Sequence, residues 1–149
     1  RGPVRAQAAE LRERLGALRP DGASYRYEPG KWSVKDVVGH LGDSERILGM
    51  RATCIARGET AELPGFEQDD YVVQGGFEAR TLDSLLREFE QLRGANVEMF
   101  GGLADDRWDR VGRANGAAVS VRALAWILAG HLDHHLAVLR ERYGAAFGD

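Results

Sequence analysis

The stretch Trp32-Ser-Val-Lys-Asp-Val-Val-Gly-His40-Leu-Gly-Asp43, read with Gly130-His-Leu-Asp-His-His-Leu136, decides the fold of this chain. In the first segment Ser33 has the character of a helix N-cap. Asp36 stands in the capping-box position, and Trp32 is placed to staple onto Val37. From Val34 onward Val37, Val38, Leu41, Leu48, Ala52 and Ile55 recur at helical spacing, and Gly58 supplies a C-terminal signal. The second segment lies in another helical pattern, with Ser120 as N-cap and Val119 and Leu124 as a staple. Ala125, Leu128, Leu132, Leu136 and Leu139 form its apolar stripe, and Gly144 lies beyond its end.

Two further helices flank these. One spans about Val4 to Arg19, with Ala8, Leu11, Leu15 and Leu18 on one face and Pro20 as its stop. The other follows Thr81 as N-cap and carries Leu82, Leu85, Leu86, Phe89, Leu92, Val97 and Phe100. Gly101-Gly102 and a polar segment around Trp108 and Asn115-Gly116 end it. Residues 20–31 form a turn-rich connection, and residues 59–80, with Pro64-Gly65 and Gly75-Gly76, form the longest irregular stretch. No convincing strand, repeat or low-complexity tract stands out. The expectation is a single all-α domain over residues 1–149: a four-helix bundle with a long crossover between the second and third helices.

Composition narrows the function classes. A chain of 149 residues suits one domain that buries roughly 68–70% of its unfolded surface. With 44% apolar and 29% charged residues it has an ordinary globular make-up. A net charge of −3 without any basic run argues against nucleic acid as a partner. Cys54 is the only cysteine, which rules out an internal disulfide and a cysteine-based zinc site and points to a reducing cytoplasm. No signal-peptide pattern opens the chain, and no apolar run is long enough to span a bilayer. The start at Arg1 rather than methionine leaves room for an upstream segment.

The histidines carry the chemistry. His131 and His135 are four residues apart on one helix, which turns their side chains only about 40° from each other and sets their Cβ atoms roughly 5–6 Å apart. They flank Leu132 on the inward stripe, while His40 sits beside Val37 and Leu41 on the edge of its own inward face. Packed helices lie about 8–10 Å apart, so imidazoles from two of them can share one ion. The same spacing also fits two ordinary hydrogen-bonded histidines. On geometry alone His134 could stand in for His135.

The chain resembles the DinB/YfiT-like superfamily. The matching segments are Gly30 to Leu41, Leu63-Pro-Gly-Phe-Glu-Gln-Asp-Asp-Tyr71, Leu85-Leu-Arg-Glu-Phe89 with Leu92-Arg-Gly-Ala-Asn96, and Val119 to Trp126 through Gly130 to Leu136. This resemblance implies a four-helix bundle whose metal ligands are His40, His131 and His135, with His134 outside the set. It also allows for a homodimer, and it includes relatives that are S-transferases of low-molecular-weight thiols and relatives described as hydrolases.

Three neutral imidazoles leave a divalent ion's charge unneutralised, so the ion could acidify a thiol or a water. Zn²⁺ is the first expectation, with Ni²⁺, Fe²⁺ or Mn²⁺ as alternatives. The expected partner is a small thiol or other small molecule, with neither nucleic acid nor membrane involved. Asp36 and Asp43 are candidates to orient His40 or to accept a proton, Asp36 having capping as its competing role. Glu45 points away from His40, and Arg93 and Asn96 either line the cleft or are solvated. Trp32 and Trp126 read as packing residues and Cys54 as inert; the acidic loop 67–70 either covers the site or is solvated, and the family resemblance implies packing near the open end. The competing function is a non-catalytic scaffold or a small-ligand sensor, for which the metal is structural or incidental.

Overall fold

The computed structural model describes residues 2–148; Arg1 and Asp149, the outermost residues of the expected domain, lie outside them. The helices are α1 (Gly2–Leu15), α2 (Val34–Ala56), α3 (Gln68–Gly75), α4 (Leu82–Gly101) and α5 (Val121–Arg142). Three short strands, β1 (Glu62–Leu63), β2 (Val111–Ala114) and β3 (Ala117–Ser120), accompany them.

Hydroxyl side chains start three of the four long helices. Ser33 Oγ accepts the Asp36 amide at 3.1 Å, and the Asp36 carboxylate accepts the Ser33 amide at 3.0 Å, closing the capping box on α2. Thr81 caps α4 through the Ser84 amide at 3.1 Å, and Ser120 caps α5 through the Ala123 amide at 3.0 Å. At the other end of α2, Gly58 takes a left-handed φ of 92°. Its amide bonds to the Ile55 carbonyl at 3.0 Å, and the Glu59 amide to the Cys54 carbonyl at 3.0 Å, a Schellman closure. The first helix ends at Leu15, four residues before the expected Arg19, because the chain turns at Gly16, a weak helix former. Leu18 still packs against the core.

Two apolar clusters mark the two ends of the bundle. One joins Val34–Leu41 of α2 to Leu85, Leu86 and Phe89 of α4, to Leu132–Leu139 of α5 and to Leu11 and Leu15 of α1. The other joins Leu48–Ile55 of α2 to Val121–Leu128 of α5, with Met99 and Phe100 of α4 packed on it. Residue numbers rise in the same direction along α2 and α4 and fall along α5. Therefore α2 and α4 run parallel, and α2 and α5 antiparallel. Residues 57–81 travel back along the bundle between the two parallel helices, carrying β1, α3 and a 3₁₀ turn at Phe77–Ala79.

The sheet is a departure from the all-helical expectation. Its order is β1-β2-β3, with β1 parallel to β2 and β2 antiparallel to β3. Asn115 at φ 53° and Gly116 at φ 76° form the two-residue turn between Ala114 and Ala117. Strands of two and four residues are too short to show a period-two pattern, although the Asn-Gly dipeptide is itself a hairpin signal. Trp126 is a second departure: it is 74% exposed rather than packed, because α5 turns positions 126 and 127 away from its stripe. Among the described residues no helix is long and apolar enough to cross a membrane.

Gly39, next to His40, lets the returning segment close on α2. A Cβ there would lie 2.4 Å from the Phe77 ring, which is itself buried. Gly39→Ala should therefore destabilise the fold by about 1–3 kcal/mol, as overpacking does. Urea denaturation of the parent and variant checks this; equal midpoints would show that Phe77 moves aside freely.

Candidate metal centre

Helix α2 delivers His40 and helix α5 delivers His131 and His135 to one point. His131 Nε2 lies 3.0 Å from His40 Nε2 and 3.2 Å from His135 Nε2. All three ligand atoms fall within 4.8 Å of one another. The four-residue spacing on α5 brings its two rings edge-on to each other with centroids 4.6 Å apart, and the His40 ring stands edge-on to both. His40 is 2% exposed and His135 9%. His134 contacts the His135 ring but faces the exposed side, so it stays outside the cluster.

Protons alone cannot satisfy this arrangement. A ring nitrogen carries either one proton or one in-plane lone pair, so His131 Nε2 can make one well-directed hydrogen bond. It has two close nitrogen neighbours. Three imidazole nitrogens about 2.0–2.1 Å from a tetrahedral ion would lie about 3.3 Å apart, close to the observed contacts. The residues present therefore fit a divalent cation held through three Nε2 atoms. His135 Nδ1, on the far side of its ring, is buried without a hydrogen-bond partner, so no protein carbonyl or carboxylate orients that ring.

Burial favours the neutral, ligating form of all three rings. It lowers His40 to about 4, with the nearby His135 adding to the shift. His131 is lowered to about 4, first by burial and then by His40, His134 and Arg93. His135 falls to about 3 through burial, His131 and His134. Neither expected carboxylate reaches a ring. Asp36 is engaged in the capping box and with Arg26 at 2.9 Å. Asp43 is raised by burial, and the charges acting on it are Arg46 and Glu88.

Aromatic residues do what those carboxylates do not. Trp32 lies over the His40 ring at 4.7 Å and nearly parallel to the His135 ring at 6.4 Å. Its backbone carbonyl accepts the Tyr143 hydroxyl at 2.7 Å. Trp32 thus roofs the cluster as well as packing, a role its staple position did not reveal. Tyr143 was not singled out in the sequence at all. A cleft of about 660 Å³ borders this roof, lined by Trp32, Asp69, Phe77, His134, His135 and Arg142 among others. Asp69 brings the start of α3, the expected acidic neighbour, to the cleft. Cys54 lies away from it, its Sγ 3.7 Å from Met50 Sδ. Glu45 does point away from His40, and Arg93 and Asn96 neither line the cleft nor face solvent: they bind Glu45 inside the bundle.

A pH dependence follows from the lowered histidines. Their folded-state values lie below the unfolded value of about 6.5, so the unfolded chain binds more protons between pH about 6.5 and about 4. The contribution of these rings is fully present above pH about 6.5 and is lost as the pH falls through that window. Urea denaturation of metal-free protein should show this loss, and a His131→Asn/His135→Asn variant should lose less. Parallel pH profiles for the two proteins would contradict the assignment.

Known proteins resemble this chain in sequence and in fold. A protein of Oceanobacillus iheyensis named "Putative metal-dependent hydrolase OB0413" is 25% identical over 135 residues, covering 87% of this chain and 75% of that protein. YfiT from Bacillus subtilis, described as "a probable metal-dependent hydrolase with an unusual four-helix bundle topology", superimposes with a TM-score of 0.81 at 19% identity, covering 93% of this chain and 81% of its own. The mycothiol-dependent maleylpyruvate isomerase superimposes at 0.74 with 13% identity, over 95% of this chain and 58% of the other. A DinB-like protein of Bacillus subtilis, YjoA, gives 0.60 at 22% identity, over 93% and 82%. These structural likenesses concern the fold. The profile of the DinB superfamily matches residues 4–139, and the chain belongs to that superfamily.

Proposed function

We propose that this protein is a metal-dependent enzyme that activates a low-molecular-weight thiol for transfer to an electrophile. The observation that carries the reading is the convergence of His40, His131 and His135 through Nε2, which leaves close nitrogen contacts that their own protons cannot satisfy. A divalent ion held there, with Zn²⁺ first and Ni²⁺, Fe²⁺ or Mn²⁺ as alternatives, would supply Lewis acidity that favours the deprotonated form of a thiol or a water.

The chain's own residues favour the thiol. Among the described residues no carboxylate hydrogen-bonds to any of the three rings, so no proton acceptor stands beside the ligands for a water. A thiol, with an ordinary pKa near 8.5, releases its proton to solvent far more readily. In the transfer step the sulfur forms a bond to the electrophilic carbon, and the leaving group departs with the bonding pair. Trp32 excludes water from one side of the imidazoles, and the adjoining cleft has the volume of a small-molecule site. The mycothiol dependence of one structural neighbour supports this reading. Hydrolysis is the second reading, supported by the names of two relatives. Residence in the cytoplasm and a homodimer belong to the same proposal.

Protein purified without a histidine tag should carry about one divalent metal per chain. Loaded protein should accelerate the reaction of cysteine, glutathione or mycothiol with chlorodinitrobenzene, and His131→Ala/His135→Ala should return the rate to the metal-free background. An unchanged rate in that variant contradicts the proposal. Turnover of esters or amides with no thiol consumption would favour the hydrolytic reading.

A further inference from the structure

Behind the histidines lies a charged pair that the proposed chemistry does not use. Glu45 and Arg93 are each 2% exposed. Arg93 Nε donates to Glu45 Oε1 at 2.7 Å, and Asn96 Nδ2 donates to Glu45 Oε2 at 2.8 Å and to the Glu45 carbonyl at 3.0 Å. The remaining arms of the guanidinium reach other helices: Nη2 donates to the Leu128 carbonyl at 3.1 Å, and Nη1 to Gln7 Oε1 at 3.1 Å. Gln7 in turn donates to Asp133 Oδ1 at 2.6 Å. One network therefore ties all four long helices together.

Its attachment points bracket the candidate ligands. Glu45 follows His40 by five residues on α2, Leu128 precedes His131 by three on α5, and Asp133 lies between His131 and His135. The bundle is closely approached here, since a Cβ on Gly49 would fall 2.3 Å from Asn96 Oδ1. Yet the apolar packing around α5 is incomplete beside the pair. A cavity of about 210 Å³ lies beside the pair, lined by Val97, Phe100, Trp108 and Leu128 among others. Atoms bordering a void lack partners on one side, so packing there resists a small slide or rotation weakly. A buried ion pair is in general no better for stability than apolar residues of similar volume. What the planar guanidinium fork adds is direction.

We propose that the Glu45–Arg93 pair, extended by Gln7, is a positioning device for the three-histidine site, fixing the rotation and axial register of α5 against α2 and α4 and so the placing of His131 and His135 relative to His40. The proposal rests on the metal-binding reading above. A slide of one residue along α5 would move a ring by about 1.5 Å, comparable with the difference between a bonded and a lost ligand.

The test uses Co²⁺ as a spectroscopic probe on three whole-chain proteins: the parent, Glu45→Met/Arg93→Met and Gln7→Met. The double substitution replaces the pair by apolar side chains without leaving a lone buried charge; Gln7→Met keeps the pair and removes the Arg93–Gln7–Asp133 link from it to α5. Expected are metal-free melting temperatures near that of the parent and Co²⁺ affinity weakened about 10- to 100-fold in the double variant. The ligand-field bands at saturating Co²⁺ should change in position and intensity, with a smaller effect of the same kind for Gln7→Met. A lowered melting temperature with an unchanged saturated spectrum would show a purely structural role and overturn the proposal. Should the double variant fail to fold, an unchanged spectrum and affinity in Gln7→Met overturns it alone. Failure of the parent to bind Co²⁺ stoichiometrically would instead remove the metal reading itself.

Discussion

Imidazole nitrogens that face one another across two helices cannot all be satisfied by the protons they carry. That constraint sits at the centre of this molecule, where His131 Nε2 approaches His40 and His135 at 3.0 and 3.2 Å. Burial favours the neutral rings, the form whose Nε2 lone pairs are available to a shared cation. Neutral lone pairs pointed at one another are mildly repulsive on their own and strongly stabilised by a cation between them. The fold holds them there regardless, and the surrounding structure has to supply what the rings themselves do not.

Several parts of the chain do so. The capping box at Ser33 fixes where α2 begins and hence where His40 lies along it. The Tyr143 hydroxyl holds the Trp32 backbone, and the indole then covers His40 and His135 from one side. Phe77, arriving on the segment that runs back along the bundle, seats against Gly39 beside His40. At the far end the small sheet and Trp108 help cover the second apolar cluster, where Ile55 meets the hairpin at Gly112. The parallel course of α2 and α4 leaves α5 free to lie antiparallel along α2. This places a pair of histidines from one helix opposite a single histidine from another.

Much of this was legible in the residues, for physical reasons that differ by element. Ser33, Thr81 and Ser120 could be read as caps because a cap is a local event, decided within four residues. The relation of His131 to His135 is equally local, fixed by the helical turn. That His40 meets them is a long-range fact: its inward position allowed the meeting, and the family resemblance singled it out. The pairing of Glu45 with Arg93 depends on how two separate helices are rotated, and nothing in either helix announces it. Trp32 over His40 is hidden likewise, since the staple reading accounts for the same position. Trp126 looked like core because it is large and apolar, yet α5 turns it outward. The Asn115-Gly116 turn was visible, but its strands were too short to support a hairpin by pattern.

X-ray absorption at the zinc edge of the Zn²⁺-loaded protein tests the central claim most directly. The account predicts three imidazole nitrogens at about 2.0–2.1 Å, with any remaining ligand a light atom from solvent. It also predicts that this imidazole signal is lost when His40, His131 and His135 are replaced together. A first shell with only one or two imidazoles, or with sulfur from Cys54, would contradict it.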